Sequence, residues 1–353
     1  MINMNVLVTG SNGLIGSEAV SYYDEQGANV FGIDNNMRRS FFGTRGDTSA
    51  TLARLKATTR RFTHFSADIR DQDALSNIFS QHRFDLIVHC AAQPSHDRAA
   101  SIPVTDFEVN ALGTLYLLEA TRRYCPEAVF VLMSTNKVYG DAPNRLPLIE
   151  EETRWEYADP ANYHGVDETL SIDQCLHSIF GASKVASDIM TQEYGRYYGL
   201  KTGIFRAGCL TGPSHAGVEL HGFLNYLVKA VVHNIPYTIY GYKGKQVRDQ
   251  IHSRDVIRAV EAFAAAPQPG EVFNLGGGRA NSLSMLESID AIEQLAGRKL
   301  NSSYDEQNRK GDHICYISDT RKFERAYPDW SKSYDLERLL EEMVSSELAN
   351  LPK

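Results

Sequence analysis

A short apolar run followed by three evenly spaced glycines constrains the fold of this chain more than any other feature. Residues 5–9 (NVLVT) predict a strand that is buried on both faces. Gly10-Ser11-Asn12-Gly13-Leu14-Ile15-Gly16 follows at once, a helical pattern runs to about residue 26, and a second strand over residues 29–34 ends in Asp34. The glycine motif alone is typical of any tight turn, but strand, glycine turn, helix, strand and acid together predict a dinucleotide-binding βαβ unit.

Each part of this unit suits a dinucleotide. The first glycine permits the sharp turn, the middle one lets the backbone approach a pyrophosphate, and the last lets the helix pack close to the strand. The helix N-terminus would face the phosphates with its positive dipole end. Asp34 would accept hydrogen bonds from the ribose hydroxyls and repel a 2′-phosphate, which predicts NAD rather than NADP. Arg38 and Arg39 follow closely and would weaken this preference if they reached the ribose, but two solvated loop charges are the simpler interpretation.

Strand and helix patterns alternate through the first half of the chain. After residue 34 the predicted strands are residues 62–68, 85–89, 128–133 and 202–207, and the predicted helices are residues 71–81, 107–124 and 182–198. This alternation predicts an α/β fold with a Rossmann-type, doubly wound parallel sheet and right-handed crossovers. Residues 40–60 are polar, and we expect them to form a surface excursion.

The pattern changes near residue 213. The later predicted elements are a helix over residues 223–233, a strand over 237–240, a helix over 253–266, a strand over 272–275 and further helices. We therefore predict an NAD-binding Rossmann domain over residues 1–213, which includes a substrate loop at 141–178. A smaller mixed α/β lobe is predicted over residues 214–353, partly interleaved with the first domain.

The composition argues against several classes of partner. A formal charge of −8 is a poor match for nucleic acid, whose backbone requires a basic face. Five cysteines without a C-x-x-C pair predict neither a disulfide framework nor a zinc site, and they favour a reducing cytoplasm. The N-terminus does not resemble a signal peptide, and no apolar run approaches the ~20 residues that a membrane span needs. We therefore expect a cytoplasmic protein without nucleic-acid, membrane or metal partners.

Functional residues of doubly wound sheets lie at the carboxyl ends of the strands. Small residues after the fourth predicted strand, Ala91 and Ala92, would let the backbone lie against the cofactor. The residues that we expect to contact the cofactor are Gly10, Asn12, Gly13, Leu14, Ile15, Gly16, Asp34, Asn35, Asp68, Ile69, Ala91, Ala92, Gln93, Asn110, Ser134 and Lys184.

Three later segments carry a family resemblance that covers nearly the whole chain. They are Ser134-Thr135-Asn136-Lys137-Val138-Tyr139-Gly140-Asp141, Gly181-Ala182-Ser183-Lys184 and Gly244-Lys245-Gln246-Val247-Arg248-Asp249. On these segments the chain resembles the extended short-chain dehydrogenase/reductase family, which acts on nucleotide sugars, and within it most of all the CDP-tyvelose (CDP-paratose) 2-epimerases. The resemblance implies tightly held NAD, transient oxidation of a sugar carbon to a ketone, and return of the hydride to give the epimer. In the 2-epimerases the oxidised carbon is C2.

The resemblance also implies partners and site residues. The substrate would be a nucleoside-diphosphate sugar, with CDP favoured and UDP or GDP open, and the chain would form a homodimer through the helices at residues 107–124 and 182–198. Thr135 would hydrogen-bond the reacting oxygen, and Lys184 would hold the nicotinamide ribose and raise the local positive potential. Arg248 and Arg309 match arginines that contact the diphosphate. The residues expected at the substrate are Thr135, Asn136, Lys137, Cys209, His221, Phe223, Leu224, Arg248 and Arg309.

Phe180 departs from the family pattern, because relatives carry the catalytic tyrosine at this position. Phenylalanine has no proton to exchange, and general acid–base catalysis typically contributes ~10²–10⁴-fold. The base could be another group, first His177 or a stabilised Cys209 thiolate, although a loop histidine satisfied by backbone is the simpler interpretation of His177. Other nearby groups that could serve are Asp167, Glu168, Tyr163 and Tyr139.

Two further interpretations of Phe180 remain open at this point. The reaction could differ from that of the epimerases, as in a nucleotide-sugar dehydratase or another keto-sugar enzyme of the same family. Alternatively, the protein could bind NAD and a nucleotide sugar without turnover and act as a sensor. The presence of Thr135, Lys184, Asp34 and both arginines favours an enzyme, since a binding module has no need for all of them together.

Overall fold

The glycine turn joins the first strand of a parallel sheet to the first helix, as the sequence predicts. The computed structural model describes residues 4–213, 222–308 and 311–351. The strands are β1 (Asn5–Thr9), β2 (Asn29–Ile33), β3 (Phe62–Phe65), β4 (Leu86–His89), β5 (Val129–Thr135), β6 (Leu148–Glu150), β7 (Trp155–Tyr157), β8 (Lys201–Ala207), β9 (Cys209–Thr211), β10 (Tyr237–Tyr240), β11 (Val247–His252), β12 (Glu271–Leu275), β13 (Ser282–Ser284), β14 (Ser302–Asp305) and β15 (Cys315–Tyr316). The α-helices are α1 (Leu14–Glu25), α2 (Met37–Phe42), α3 (Ser49–Thr58), α4 (Gln72–Gln81), α5 (His96–Ser101), α6 (Pro103–Phe107), α7 (Gly113–Tyr124), α8 (Ser178–Arg196), α9 (Phe223–His233), α10 (Ser253–Ala265), α11 (Met285–Ala296), α12 (Arg321–Ala326) and α13 (Leu336–Ala349).

Seven strands form the main sheet in the order β12-β8-β5-β4-β1-β2-β3. The pairs β1–β2, β2–β3, β1–β4 and β4–β5 are parallel. Val6, Leu7 and Val8 of β1 are fully buried, as expected for a central strand covered on both faces. The chain builds from β1 towards β3 and then returns to β4, so the carboxyl ends of β1 and β4 meet where the winding reverses. This is the point at which doubly wound sheets bind ligands, and the predicted α/β, Rossmann-type fold is confirmed.

The chain divides into two interleaved compact units. The sheet unit comprises Met1–Val138, Ser178–Arg206 and Val256–Phe273, and the lobe unit comprises Tyr139–His177, Ala207–Asp255 and Asn274–Lys353. These divisions differ from the predicted boundary at residue 213. The segment Val256–Phe273 returns to the sheet unit because Phe263 and Phe273 pack edge-on against Phe205 of β8. The sequence before Val256 contains no pattern that predicts the return of the chain to the sheet unit.

The lobe unit has its own small sheet and helical core. In its central sheet β11 pairs with β13 antiparallel and with β15 and β9 in parallel. Three helices, α9, α11 and α13, bury their apolar stripes against one another. The buried side chains of this core include Leu224, Leu227, Val228, Val231, Met285, Ile292, Leu339, Leu340, Met343 and Val344. The helix predicted over residues 223–233 is therefore confirmed, and its apolar face belongs to the core of the lobe unit.

Two predicted segments have more detailed structure than the sequence indicates. Residues 40–60 lie mostly at the surface, as predicted, and they contain α3 and a 3-10 helix at Gly43–Gly46. Leu55 of α3 is fully buried, and local hydrogen bonds from Asn36 to Asp47 organise the segment. The predicted helix over residues 107–124 is helical throughout, and it comprises the end of α6, a π-helix at Glu108–Leu112 and α7. Short polar segments and π-helical turns lack the regular apolar period on which sequence prediction depends.

No helix in the part of the chain that the structure describes has the length and apolar character required to cross a membrane.

The return of Val256–Phe273 to the sheet unit can be tested by a cavity mutation. Phe263 is fully buried, so Phe263→Ala is expected to lower the free energy of unfolding by about 3–5 kcal/mol. Leu295→Ala is the control, because Leu295 is 39 % exposed on α11 and its truncation should cost less than about 0.5 kcal/mol. The measurement is urea unfolding followed by circular dichroism. Equal losses in the two variants would contradict the packing described above.

Candidate active site

The glycine turn of the sheet unit has no room for side chains. Gly10 has a φ of +66°, and an added Cβ would stand 2.8 Å from Ala91 N. A Cβ at Gly16 would stand 2.0 Å from Gly10 O. The helix α1 begins at Leu14, and within the described residues no side chain caps its N-terminus. A bare helix N-terminus beside a glycine cradle fits the diphosphate of a dinucleotide.

Asp34 is fixed beside this turn. Its Oδ2 accepts a hydrogen bond from Asn12 N at 3.0 Å, and its Oδ1 accepts one from Asn36 N at 2.7 Å. Each carboxylate oxygen retains a lone pair for a further donor. Asn35 Nδ2 donates to Asp68 Oδ2 at 3.0 Å and so joins the ends of β2 and β3. The position of the Asp34 carboxylate therefore suits the predicted hydrogen bonds with ribose hydroxyls.

The loop after β4 is tied to the π-helix of Glu108–Leu112. Gln93 N donates to Asn110 Oδ1 at 2.9 Å, and Asn110 Nδ2 donates back to Gln93 O at 3.2 Å. Asn110 Nδ2 also lies 3.0 Å from Ser183 Oγ of α8. Gly10, Asp34, Asp68, Ala91 and Ser134, which are predicted cofactor residues, lie at or shortly after the carboxyl ends of β1 to β5. Leu14, Ile15, Ile69, Ala91 and Ala92 belong to the same sheet unit.

Lys184 is buried, with 4 % of its surface exposed. Its Nζ donates to Met133 O of β5 at 3.0 Å, which uses one of three N–H donors. Burial lowers the pKa of Lys184 to about 8, and the charge of Asp188 acts in the opposite direction. Among the described residues no carboxylate stands within salt-bridge distance of Nζ, so two donors remain for a ligand. Phe180 is also buried and precedes Lys184 by one helical turn, which places both on one face of α8.

Thr135 ends β5 and is half-buried. Its Oγ1 accepts a hydrogen bond from Lys137 N at 3.2 Å, and the hydroxyl proton lies towards Asn136 Oδ1 at a long 3.4 Å. This weak donation leaves the hydroxyl able to turn to a reacting oxygen. Ser134 differs, because its hydroxyl donates to Asp188 Oδ2 at 2.6 Å. The hydroxyl of Ser134 therefore has a structural role. The prediction that Ser134 contacts the cofactor then concerns its backbone atoms.

Sequence reasoning missed two buried acids. Asp188 Oδ1 and Oδ2 accept from Arg206 Nη2 at 2.9 Å and Nε at 3.0 Å, and Gln192 Nε2 donates to Oδ1 at 2.7 Å. Asp106 is fully buried and accepts from Gln93, Asn110 and Ser183 at 2.7, 3.1 and 2.6 Å. An acid within a helical stretch is normally a surface charge, so only the apolar pattern around each residue could have indicated burial.

Arg248 of the lobe unit is buried and held by oxygen atoms. Its Nη1 donates to Val247 O at 2.6 Å, and its Nη2 donates to Asp312 Oδ1 and His313 O, both at 2.6 Å. The guanidinium is thus oriented in advance, with further N–H donors for an anion. Its predicted contact with a diphosphate stays a prediction. Arg309 lies outside the described residues.

Two of the predicted bases in the lobe unit are engaged locally. His177 Nε2 lies 2.7 Å from Ile172 O and 3.4 Å from Cys175 Sγ. Since a carbonyl only accepts, Nε2 carries the proton and donates to it. Asp167 Oδ1 accepts from the backbone N and the hydroxyl of Thr169, at 2.9 and 2.6 Å. The backbone-satisfied interpretation of His177 is the one that this geometry favours.

Of three other predicted bases, two are engaged by Asn274 and the third is exposed at the surface of the lobe unit. Tyr139 is fully buried and donates to Asn274 Oδ1 at 2.8 Å. Glu168 Oε1 accepts from Asn274 N at 2.6 Å, and burial raises the pKa of this carboxyl. Tyr163 is 56 % exposed, and its ring lies 4.3 Å beneath the Arg279 guanidinium. None of these side chains presents a free, activated base within the lobe unit.

The remaining predicted substrate residues fall into three groups. Cys209 is half-buried on β9, opposite Gln250 of β11. Leu224 is 1 % exposed and belongs to the core of the lobe unit, so the prediction that its side chain lines a pocket is not supported. Phe223 begins α9 and packs against the same core while staying partly exposed. His221 lies outside the described residues.

A family model described as the NAD dependent epimerase/dehydratase family matches residues 6–276. The chain belongs to this family. It is 32 % identical over 335 residues to a CDP-paratose 2-epimerase of Salmonella typhi, covering 93 % of this chain and 94 % of the relative. It is 29 % identical to the dTDP-glucose 4,6-dehydratase 1 of Escherichia coli (strain K12), covering 92 % and 84 %. Among solved structures, UDP-glucose 4-epimerase of Thermus thermophilus in complex with NAD superposes with a TM-score of 0.79 at 26 % identity, covering 99 % and 100 % of the two chains.

These similarities confirm the extended short-chain dehydrogenase/reductase resemblance, and NAD is the cofactor of the family. The relatives include both epimerases and dehydratases of nucleotide sugars. Membership therefore establishes the coarse class, an NAD-dependent epimerase or dehydratase, and leaves the choice between them to the site.

The glycine cradle generates a direct test of cofactor binding. Gly16→Ala places a Cβ 2.0 Å from Gly10 O, which forces the turn to move. We expect the NAD retained through purification to fall by about tenfold or more, equivalent to at least ~1.4 kcal/mol. NAD is released by denaturation and quantified enzymatically. Ser21→Ala, on α1 but outside the turn, should retain wild-type NAD content; a normal content in Gly16→Ala would contradict the cradle.

Proposed function

We propose that the protein is an NAD-dependent nucleotide-sugar epimerase that acts at C2 of a CDP-sugar by transient oxidation to a keto sugar. The observation that carries the proposal is the buried ammonium of Lys184, which has two N–H donors left for a ligand. It lies near the end of β5, the strand that also carries the Thr135 hydroxyl. The 32 % identity with a CDP-paratose 2-epimerase over 93 % of this chain supports the choice of C2 and of CDP. UDP and GDP sugars are the other nucleotides to test.

The residues of the sheet unit fit NAD. The glycine cradle accepts a diphosphate only where no Cβ is present, Asp34 offers carboxylate oxygens to ribose hydroxyls, and Lys184 retains two N–H donors. NAD supplies a hydride acceptor and donor when it is bound. Thr135 would hold the reacting oxygen by hydrogen bonding, which favours the alkoxide character that develops as the carbon is oxidised. Arg248, oriented by Asp312, would hold the diphosphate of the substrate.

The residues after Thr135 favour an epimerase over the dehydratase alternative. Elimination of water needs a proton donor for the leaving hydroxyl as well as a base for the carbon-bound proton. Thr135 is followed by Asn136 and Lys137, which offer an amide and an ammonium rather than a carboxylic acid. Epimerisation by hydride return needs neither of those additional groups. A dehydratase remains the second candidate because of the 29 % identity with dTDP-glucose 4,6-dehydratase.

A homodimer is part of the proposal. In the sheet unit, the adjacent helices α6 and α8 leave several apolar side chains exposed. Val104 is 69 % exposed, Phe107 47 % and Ile179 45 %. Exposed apolar groups on neighbouring helices are typical of a subunit interface. The cysteine usage and the charge of the chain fit the cytoplasm, which stays our proposal for its location.

The reaction class can be tested by product analysis. Purified protein would be incubated with CDP-, UDP-, GDP- and dTDP-sugars, and products followed by NMR. The proposal expects a C2 epimer of a CDP-sugar without loss of water. A 4-keto-6-deoxy sugar would identify a dehydratase, and bound NAD with no conversion across the panel would identify a sensor. Thr135→Val is expected to lower turnover by ~10²–10³-fold at unchanged NAD content, whereas Thr63→Val on exposed β3 should leave it unchanged.

The dimer is tested separately by light scattering. Phe107→Glu places a charge on the exposed apolar face and is expected to convert a dimer into a monomer. Tyr304→Glu, at a 50 % exposed position of the lobe unit, is the control and should leave the mass unchanged. A monomeric wild-type protein, or a Phe107→Glu variant of unchanged dimeric mass, would contradict the proposed interface.

A further inference from the structure

We propose that Lys184 itself accepts the proton from the substrate hydroxyl, in place of the phenol that Phe180 lacks. This inference rests on the proposed epimerase function and concerns the proton-transfer step of that reaction.

The position of Lys184 suits this role. It lies one turn after Phe180 on the same face of α8, and Nζ reaches Met133 O, two residues before Thr135 on β5. The amine is therefore at the strand end where the Thr135 hydroxyl is placed.

The acidic groups around Lys184 raise its pKa by less than burial lowers it. Asp188, one turn further along α8, is neutralised by two hydrogen bonds from Arg206. Asp106 on α6 accepts from three other donors, and burial raises the pKa of its carboxyl. Burial raises the pKa of the Cys90 thiol to about 12, so it supplies no counter-charge. The ammonium is left in a desolvated site without a dedicated carboxylate.

Desolvation then shifts Lys184 towards the neutral amine. Its pKa is lowered to about 8, mainly by burial, while a solvated lysine titrates near ~10.4. At pH 8 about half of the side chains would be neutral and able to accept a proton. A tyrosine in the family position would use the lysine charge to lower its own pKa. Without that tyrosine, the same lysine is free to act as the base.

The other titratable groups packed near Lys184 in the sheet unit are unsuitable. His89 is buried between Thr9 and Thr114, whose hydroxyls lie 2.7 and 2.8 Å from its two ring nitrogens. Burial lowers the pKa of His89 to about 3, so it stays neutral with both nitrogens occupied. Asp188 accepts four hydrogen bonds, and Asp106 accepts three. Lys184 and Thr135 at the end of β5 both have capacity for a further hydrogen bond, and of these two Lys184 is the one that can act as a base.

The proton and electron balance is complete. The neutral Nζ takes the hydroxyl proton as the carbon–hydrogen bond breaks, so an N–H bond and a carbonyl bond form. The sugar carbon is oxidised and the bound nicotinamide is reduced by the transferred hydride. In the reverse step the hydride returns to the opposite face of the ketone, and the ammonium of Lys184 gives its proton back to the oxygen. No external oxidant or reductant is consumed.

Two substitutions distinguish a role of Lys184 as a base from a role as a positive charge alone. Lys184→Arg keeps a positive group that stays protonated, because the guanidinium pKa is above ~12. We expect turnover of the CDP-sugar to fall by about 10²–10⁴-fold, with NAD content retained. Adding Phe180→Tyr to Lys184→Arg restores a titratable phenol beside a fixed charge and should recover most of the lost turnover. Lys201→Arg, an exposed lysine paired with Glu127, is the matched control and should retain full turnover.

A titration supplies a readout that does not depend on turnover. In NAD-loaded protein labelled with ¹³C at the lysine ε-carbon, the resonance missing from Lys184→Arg identifies Lys184. Its midpoint should lie near 8, against ~10.4 for solvated lysines, and wild-type turnover should rise with pH through the same value. A midpoint near 10 overturns the inference whatever the turnover of the Arg variant.

The outcomes also separate this inference from the proposed function. An active wild type whose Lys184→Arg variant keeps its turnover overturns the base and leaves the epimerase intact. Failure of Phe180→Tyr to rescue a folded, NAD-loaded Lys184→Arg variant does the same. A wild type that converts no nucleotide sugar overturns the proposed function, and with it the role of Lys184 in proton transfer.

Discussion

A buried ammonium with one carbonyl partner is the interaction on which the site depends. Lys184 is held at the end of β5 by Met133 O, and burial lowers its pKa. Burying a charge costs several kcal/mol unless its partners offset the desolvation. No carboxylate of the described part of the chain forms a salt bridge with this ammonium, so a ligand with hydroxyl groups would complete its hydrogen bonding. In our proposal the Lys184 side chain would therefore contribute both to cofactor affinity and to proton transfer.

The carboxylates near Lys184 serve the architecture. Asp188 joins α8 to β5 through Ser134 and to β8 through Arg206, all with buried groups. Removing one partner of such a buried pair would leave an uncompensated charge. Asp106 similarly connects α6 to α8 through Ser183. These bonds hold the elements that position Lys184. The two acids act to raise the lysine pKa, and burial outweighs them and keeps it low.

The cofactor half of the site could be predicted from sequence because it depends on short, local patterns. The glycine turn and Asp34 are close in the chain, and their spacing carries the geometry. The buried acids could not be predicted, since Asp106 and Ser183 are distant in sequence and meet only through tertiary packing. The return of Val256–Phe273 to the sheet unit and the π-helix around Asn110 are equally non-local or aperiodic. Leu224, which the sequence placed at the substrate, is buried in the core of the lobe unit.

Phe180 changes what the family resemblance implies. In relatives the motif around this position supplies both a base and a cofactor contact, and the lysine of this chain retains the capacity for the second. His177, Tyr139 and Glu168 of the lobe unit each form a hydrogen bond within that unit, which makes them less suitable as replacements for the tyrosine base. Hydride removal and return is the reaction that we propose for the groups that the chain retains.

The most direct test of hydride return is the fate of the hydrogen on the reacting carbon. A CDP-sugar would be converted in D₂O, and the epimerised product examined by ¹H NMR and mass spectrometry. Return of the original hydride predicts a product whose C2 hydrogen is protium, with no deuterium gained at carbon. Incorporation of solvent deuterium at the epimerised carbon would contradict the account and indicate a mechanism that removes a proton from carbon.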